Sequence, residues 1–94
     1  MRVLTEPQIH QLLDEYEGRE YHDGMIGCGY EFDDFLEAIS FVNDVAGVAE
    51  AMQHHPHIEV DFNRVLVTTM THDADDQVTD KDVELMKKVE ELVE

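Results

Sequence analysis

Glu50-Ala51-Met52-Gln53-His54-His55-Pro56-His57-Ile58-Glu59-Val60 holds the point at which this chain changes its hydrophobic period. Upstream, Phe35, Ile39, Val42, Val45 or Ala46, Ala49 and Met52 recur at helical spacing. They predict a helix capped by Asp33 or Asp34 and running to about Gln53. Downstream, Ile58, Val60 and Phe62 alternate with Glu59, Asp61 and Asn63, which is the period of a strand. Pro56 sets the boundary, because its ring pushes the residue before it out of helical geometry. His54 therefore stays at the helix end while His55 enters extended chain, and the two rings can serve different neighbours.

Outward from this break, Asn63-Arg64 reads as a turn and Val65 to Thr71 as a second strand rich in Val and Thr. Leu66, Thr68, Met70 and His72 fall on one side of it. The polar loop from Asp73 to Val78 leads to a last helix, capped by Thr79 with Asp82 three residues on. Val83, Met86, Val89, Leu92 and Val93 give that helix its apolar face. Toward the N-terminus, Thr5-Glu6-Pro7-Gln8 has capping-box spacing, Ile9, Leu12, Leu13 and Tyr16 form a stripe, and Gly18 ends the helix. Glu20 to Tyr30 reads as two short strands around a turn near Asp23-Gly24. The order is α-β-β-α-β-β-α. It predicts an α+β fold over residues 1–94, one domain with its helices packed on one face of a four-stranded antiparallel sheet.

The charge narrows the setting. Twenty-three Asp and Glu face six Lys and Arg, a formal net charge of −17. Unscreened, that repulsion weakens a compact state. At molar salt the Debye length falls to about 3 Å, so a high-salt cytoplasm is the simplest account and an acidic interaction module the alternative. No basic stripe exists to neutralise phosphates, so no nucleic acid is expected as partner. No apolar run, Val45 to Ala49 included, approaches the roughly 20 residues of a membrane span. Met1-Arg2-Val3-Leu4 shows no signal peptide, and the single Cys28 cannot form an internal disulfide. A reduced, cytoplasmic protein is expected.

The candidate chemistry centres on imidazoles. His is the side chain whose unperturbed pKa lets it give and take protons near neutrality. A lone His is more often structural, but here His54 and His55 share a helix C-terminus, and His72 lies at a strand end that hairpin pairing returns toward Pro56. Glu50, one turn before His54 at i, i+4 spacing, can orient a ring. A metal site is the rival, since His54, His55, His57 and His72 offer nitrogens. Without a His-Glu-x-x-His helix or a cysteine pair, no metal is expected. Cys28 and Ser40 have no evident base, and Gly24, Gly27 and Gly29 match no phosphate loop. Phe35, Phe41, Phe62 and Met52 read as core, Asp82 as a capping residue, and Asp73, Asp75 and Asp76 as a solvated loop.

Several ordered pieces resemble the pterin-4a-carbinolamine dehydratases. They are Tyr30-x-Phe32-x-Asp34-Phe35, Glu50-x-x-x-His54-His55-Pro56, Phe62-Asn63-Arg64-Val65, Thr71-His72 and Thr79-x-x-Asp82. The resemblance runs from about Tyr30 to the final helix. It implies removal of water from 4a-hydroxytetrahydropterin to give quinonoid dihydropterin, recycling the cofactor of aromatic amino-acid hydroxylases without metal or organic cofactor. His54 and His72 would be the acid/base pair, His55 would bind the pterin, and Glu50 would orient a histidine. Gln53, His55, Pro56, Met70, Thr71 and Asp73, which flank those positions, are the candidate substrate-binding residues. The resemblance also implies a homodimer or homotetramer, and a non-enzymatic pterin-binding or dimerisation module as the second hypothesis. Two departures stand out. The family's Trp in the first β segment is absent, with Tyr21 the aromatic residue available there. Its Gly-rich turn is replaced by Asp73-Ala74-Asp75-Asp76-Gln77-Val78.

Overall fold

The computed structural model describes residues 2–15 and 18–93. Along it run α1 (Glu6–Glu15), β1 (Arg19–His22), β2 (Met25–Glu31), α2 (Phe35–Met52), β3 (His57–Asp61), β4 (Arg64–Thr69), one 3-10 turn (His72–Ala74) and α3 (Asp80–Glu91). This is the expected α+β order. The four strands pair antiparallel as β1-β2-β4-β3, so β4 is central and β1 and β3 are the edges.

Each helix begins where a side chain can satisfy amides that lack intrahelical partners. The Thr5 amide donates to Gln8 Oε1 at 2.9 Å, and the Gln8 amide to Thr5 Oγ1 at 3.4 Å. Of the two candidate caps before α2, Asp34 is the one that accepts, from the Glu37 amide at 2.8 Å. Thr79 and Asp82 close a reciprocal capping box at α3. Tyr16, placed on the first helix by its spacing, lies outside the described residues.

The first hairpin turns at Asp23-Gly24, both with positive φ (53° and 78°), as a tight two-residue hairpin requires. The second turns one residue earlier than the sequence suggests. Asp61 pairs with Arg64, so the turn is Phe62-Asn63, with Phe62 at φ 54°. Asn63 is held across the chain by Phe32: its Nδ2 donates to the Phe32 carbonyl at 2.9 Å, and the Phe32 amide donates to its carbonyl at 2.8 Å. This pair of hydrogen bonds fixes the register. β4 stops at Thr69 rather than Thr71, and His72 lies in the turn that follows.

Register places Ile26, Cys28, Val65, Val67 and Thr69 on the sheet face that packs with Ile9, Ala38, Phe41, Val45, Ala49, Leu85, Met86 and Val89. Gly27 sits on the opposite face, where a Cβ would meet Thr68 Cγ2 at 2.7 Å, so the close approach of β2 and β4 requires glycine. The helix faces differ in detail from expectation. Phe35 lies on the flank of the Ala38-Phe41-Val45-Ala49 stripe and is 48% exposed; Phe62, at its turn, is also exposed. Phe41 packs in the core against Tyr30 and Phe32, with centroids 4.8 and 5.0 Å away, and Met52 is half-buried. On α3, Leu85 is buried, whereas Leu92 and Val93 fall past the helix end and are exposed.

Candidate active site

The site starts with the way α2 stops. Gln53 takes a left-handed conformation (φ 55°), and two bonds seal the helix end: its amide to Glu50 O at 3.2 Å and the His54 amide to Ala49 O at 3.1 Å. This paired pattern reverses the chain at its left-handed residue. It turns His54 into the domain, where the residue is 8% exposed, while His55 remains exposed. The different placements expected of the two rings are therefore observed.

Inside, His54 Nε2 lies 2.5 Å from Asp82 Oδ1 and 3.3 Å from Thr69 Oγ1. The Thr69 hydroxyl donates to the same Oδ1 at 2.6 Å. The other oxygen, Oδ2, accepts from the Thr71 hydroxyl at 2.9 Å and the Thr79 amide at 2.8 Å. Since Thr71 has one proton and gives it to Asp82, the 2.7 Å contact between Thr71 and Thr79 has Thr79 as donor. Asp82 is fully buried, and its polar neighbours satisfy it completely. It joins the end of α2, the end of β4 and the start of α3.

In the sequence Asp82 reads only as a cap. It does cap α3, and it also grips His54. A signal was present: Asp82, Leu85, Met86 and Val89 fall at i, i+3, i+4 and i+7, which puts a carboxylate on the buried stripe of its helix. Glu50, one turn before His54, has its Oε2 3.4 Å from His55 Nε2, and both side chains are more than half exposed. The reversal at Gln53 takes His54 off the helix face that Glu50 occupies.

His72 opens the 3-10 turn, with Nδ1 2.7 Å from Asp76 Oδ1 at the surface. It follows Thr71, so the Asp82 cradle that holds His54 also anchors the segment carrying His72. Among the flanking candidates, Gln53 donates its side chain to Glu50 O at 2.8 Å and Thr71 is buried in the cradle. Pro56 and Met70 are half-buried, and Asp73 is exposed. His57 lies apart, 3.6 Å from Glu59. Each histidine of the metal alternative thus has a carboxylate of its own, and among the described residues no group of three His, Cys, Asp or Glu converges to hold an ion. Burial raises the pKa of the Cys28 thiol, which makes the reactive thiolate scarce.

The family described as pterin 4 alpha carbinolamine dehydratase matches residues 2–92. This chain belongs to that family. A relative from Sulfurisphaera tokodaii, assigned by name to the pterin-4-alpha-carbinolamine dehydratases, is 41% identical over 99% of both chains. One from Christiangramia forsetii, named in the same way, is 37% identical over all of this chain and 96% of its own. A crystal structure of a transcriptional coactivator/pterin dehydratase from Brucella melitensis superposes with TM-score 0.85 at 32% identity, covering 94% of this chain and 95% of that one. A pterin dehydratase-like RuBisCO assembly factor of the α-carboxysome shares the fold at TM-score 0.64 and 16% identity, over 79% of this chain and 84% of that one.

The two departures from the dehydratase pattern now have structural counterparts. Tyr21 is half-buried, edge-on to His10 with centroids 6.5 Å apart, and shares the helix-covered sheet face with Ile26. Where the family turn uses glycine, Asp75 and Asp76 adopt φ of 56° and 59°. Asp is among the few residues other than glycine that enter this region, at a cost in backbone strain. The turn closes through a Thr71 amide bond to Gln77 O at 2.9 Å.

Proposed function

We propose that this protein dehydrates 4a-hydroxytetrahydropterin to quinonoid dihydropterin, as a hydro-lyase, by histidine acid/base catalysis. The observation that carries it is the shared carboxylate: Asp82 lies 2.5 Å from His54 Nε2 and accepts from Thr71, the residue before His72. In a member of the dehydratase family, this supports His54 and His72 as two proton-transfer groups held by one cradle.

The chemistry asks for two such groups. The C4a–O bond breaks, and the hydroxyl needs a proton to leave as water. The N5–H bond also breaks, and its electron pair becomes the C4a=N5 bond. No electrons enter or leave. Imidazoles suit both transfers, because their ordinary pKa is near 6.5. His55, exposed and beside Glu50, is assigned to pterin binding.

The test is formation of quinonoid dihydropterin from chemically made 4a-hydroxytetrahydropterin, in high salt with excess chelator. Catalysis is expected under both conditions. Activity that disappears with chelator and returns with zinc would replace the metal-free mechanism. A purely associative module, the second hypothesis, would give no catalysis at all. The buried polar cradle around His54 favours the enzyme, since association alone does not call for it.

A further inference from the structure

We infer that Asp82 is a positioning residue that fixes the proton of His54 on Nε2, so that Nδ1 is the atom that takes the N5 proton of the pterin. This rests on the dehydratase function proposed above and assigns an atom to its base.

The inference follows from counting donors. Asp82 Oδ1 faces His54 Nε2 and the Thr69 hydroxyl, and Oδ2 faces the Thr71 hydroxyl and the Thr79 amide. Three of these four neighbours donate to it. Thr79 N–H has no other role, Thr71 gives its proton to Oδ2, and Thr69 gives its proton to Oδ1 at 2.6 Å. Were Nε2 bare, its lone pair would face a carboxylate oxygen at 2.5 Å with no proton between them. Thr69 could not relieve this, because its one proton already lies on Asp82. Against a carboxylate to which three neighbours already donate, the contact is satisfied only when Nε2 carries hydrogen. In the neutral ring the other nitrogen must then be the acceptor.

Nδ1 is suitably placed for such work. Among the described residues none hydrogen-bonds it, and the His54 side chain keeps 10% of its surface open while Asp82 keeps none. One nitrogen is therefore buried on a fixed anchor and the other is left unoccupied. The anchor is rigid, because Asp82 is also the N3 residue of the α3 capping box. Moving the carboxylate would break the helix cap. In the reaction, Nδ1 accepts the proton from N5 as C4a=N5 forms, and the departing hydroxyl takes a proton from the second imidazole and leaves as water. The ring then carries both protons, with the carboxylate beside Nε2.

The tautomer can be read without substrate, so its outcome stands apart from that of the dehydratase assay. In 15N-labelled protein, long-range proton–nitrogen correlation spectra assign His54 by its loss in His54→Gln. The neutral ring should show Nε2 protonated and Nδ1 bare. An Nδ1-protonated ring in the wild-type protein would overturn the inference. Kinetics give the second readout. Asp82→Asn can present an amide N–H to Nε2 and so invert the tautomer. It should lower kcat about 100-fold, the scale of a misplaced reacting group, with KM changed less than about threefold. Asp80→Asn alters an exposed acid of the same helix turn, bonded to the Arg2 amide, and should leave kcat unchanged. A folded Asp82→Asn enzyme with kcat within twofold of wild type would refute the positioning role. If that variant does not fold, the wild-type spectrum still decides.

Discussion

At the scale of single residues, His54 and His55 show how one peptide bond can separate two environments. Their sequence neighbours differ little, yet one ring lies on a buried carboxylate and the other on an exposed glutamate. If His54 and His72 carry the proton transfers, His54→Ala and His72→Ala should each reduce kcat about 100-fold or more. His55→Ala should mainly raise KM. Steady-state kinetics with 4a-hydroxytetrahydropterin separate these effects. Undiminished activity in the His54→Ala, His72→Ala double variant would make the cluster structural. The histidines themselves were legible from their spacing around Pro56. Asp82 was not read as their partner, because a residue 28 positions away declares its neighbour only once the helices pack.

At the scale of elements, the caps were well marked in the sequence and the turns were less so. Thr5, Asp34 and Thr79 occupy their expected positions because capping depends on side chains within three residues of one another. The Phe62-Asn63 turn falls one residue earlier than its sequence suggests, because its register depends on Asn63 reaching Phe32, a partner 31 residues away. Left-handed backbone is a further hidden feature. Gln53, Phe62, Asp75 and Asp76 all adopt it without glycine. Asp75 is exposed on the turn before α3, so its conformation has no packing to preserve. Asp75→Gly should raise stability by roughly 0.5 kcal/mol, as relief of left-handed strain outweighs glycine's chain entropy. Thermal melts would show a midpoint higher by a few degrees. A lower midpoint would mean that the aspartate stabilises this turn beyond its backbone cost.

At the scale of the whole molecule, net charge and sheet edges govern behaviour. With −17 on one small fold, stability should increase from low salt to multimolar potassium chloride as repulsion is screened. A melting midpoint that stays flat or falls would remove the support for a high-salt origin. Among the described residues no helix is long and apolar enough to cross a membrane. Association is expected to use the edges: β1 and β3 each have one strand neighbour in the sheet, leaving backbone groups along the other side. A homodimer or a dimer of dimers is therefore expected in high salt, loosening as salt is removed. Light scattering across a salt series measures this. A strict monomer in multimolar salt with full dehydratase activity would refute the assembly and leave the catalysis intact.

The sequence by itself determined the order of elements, the helix caps, the first hairpin and the positions of the histidines. These depend on hydrophobic period, on Pro56, and on side chains that act within a turn of themselves. Only the tertiary structure decided that β4 is central, that Phe41 rather than Phe35 fills the core, and that Glu50 serves His55 while Asp82 serves His54. Each of those outcomes depends on which distant surfaces meet. A buried carboxylate is stable only where several donors converge, and here Thr69, Thr71, Thr79 and His54 reach Asp82 from separate elements that packing alone brings together.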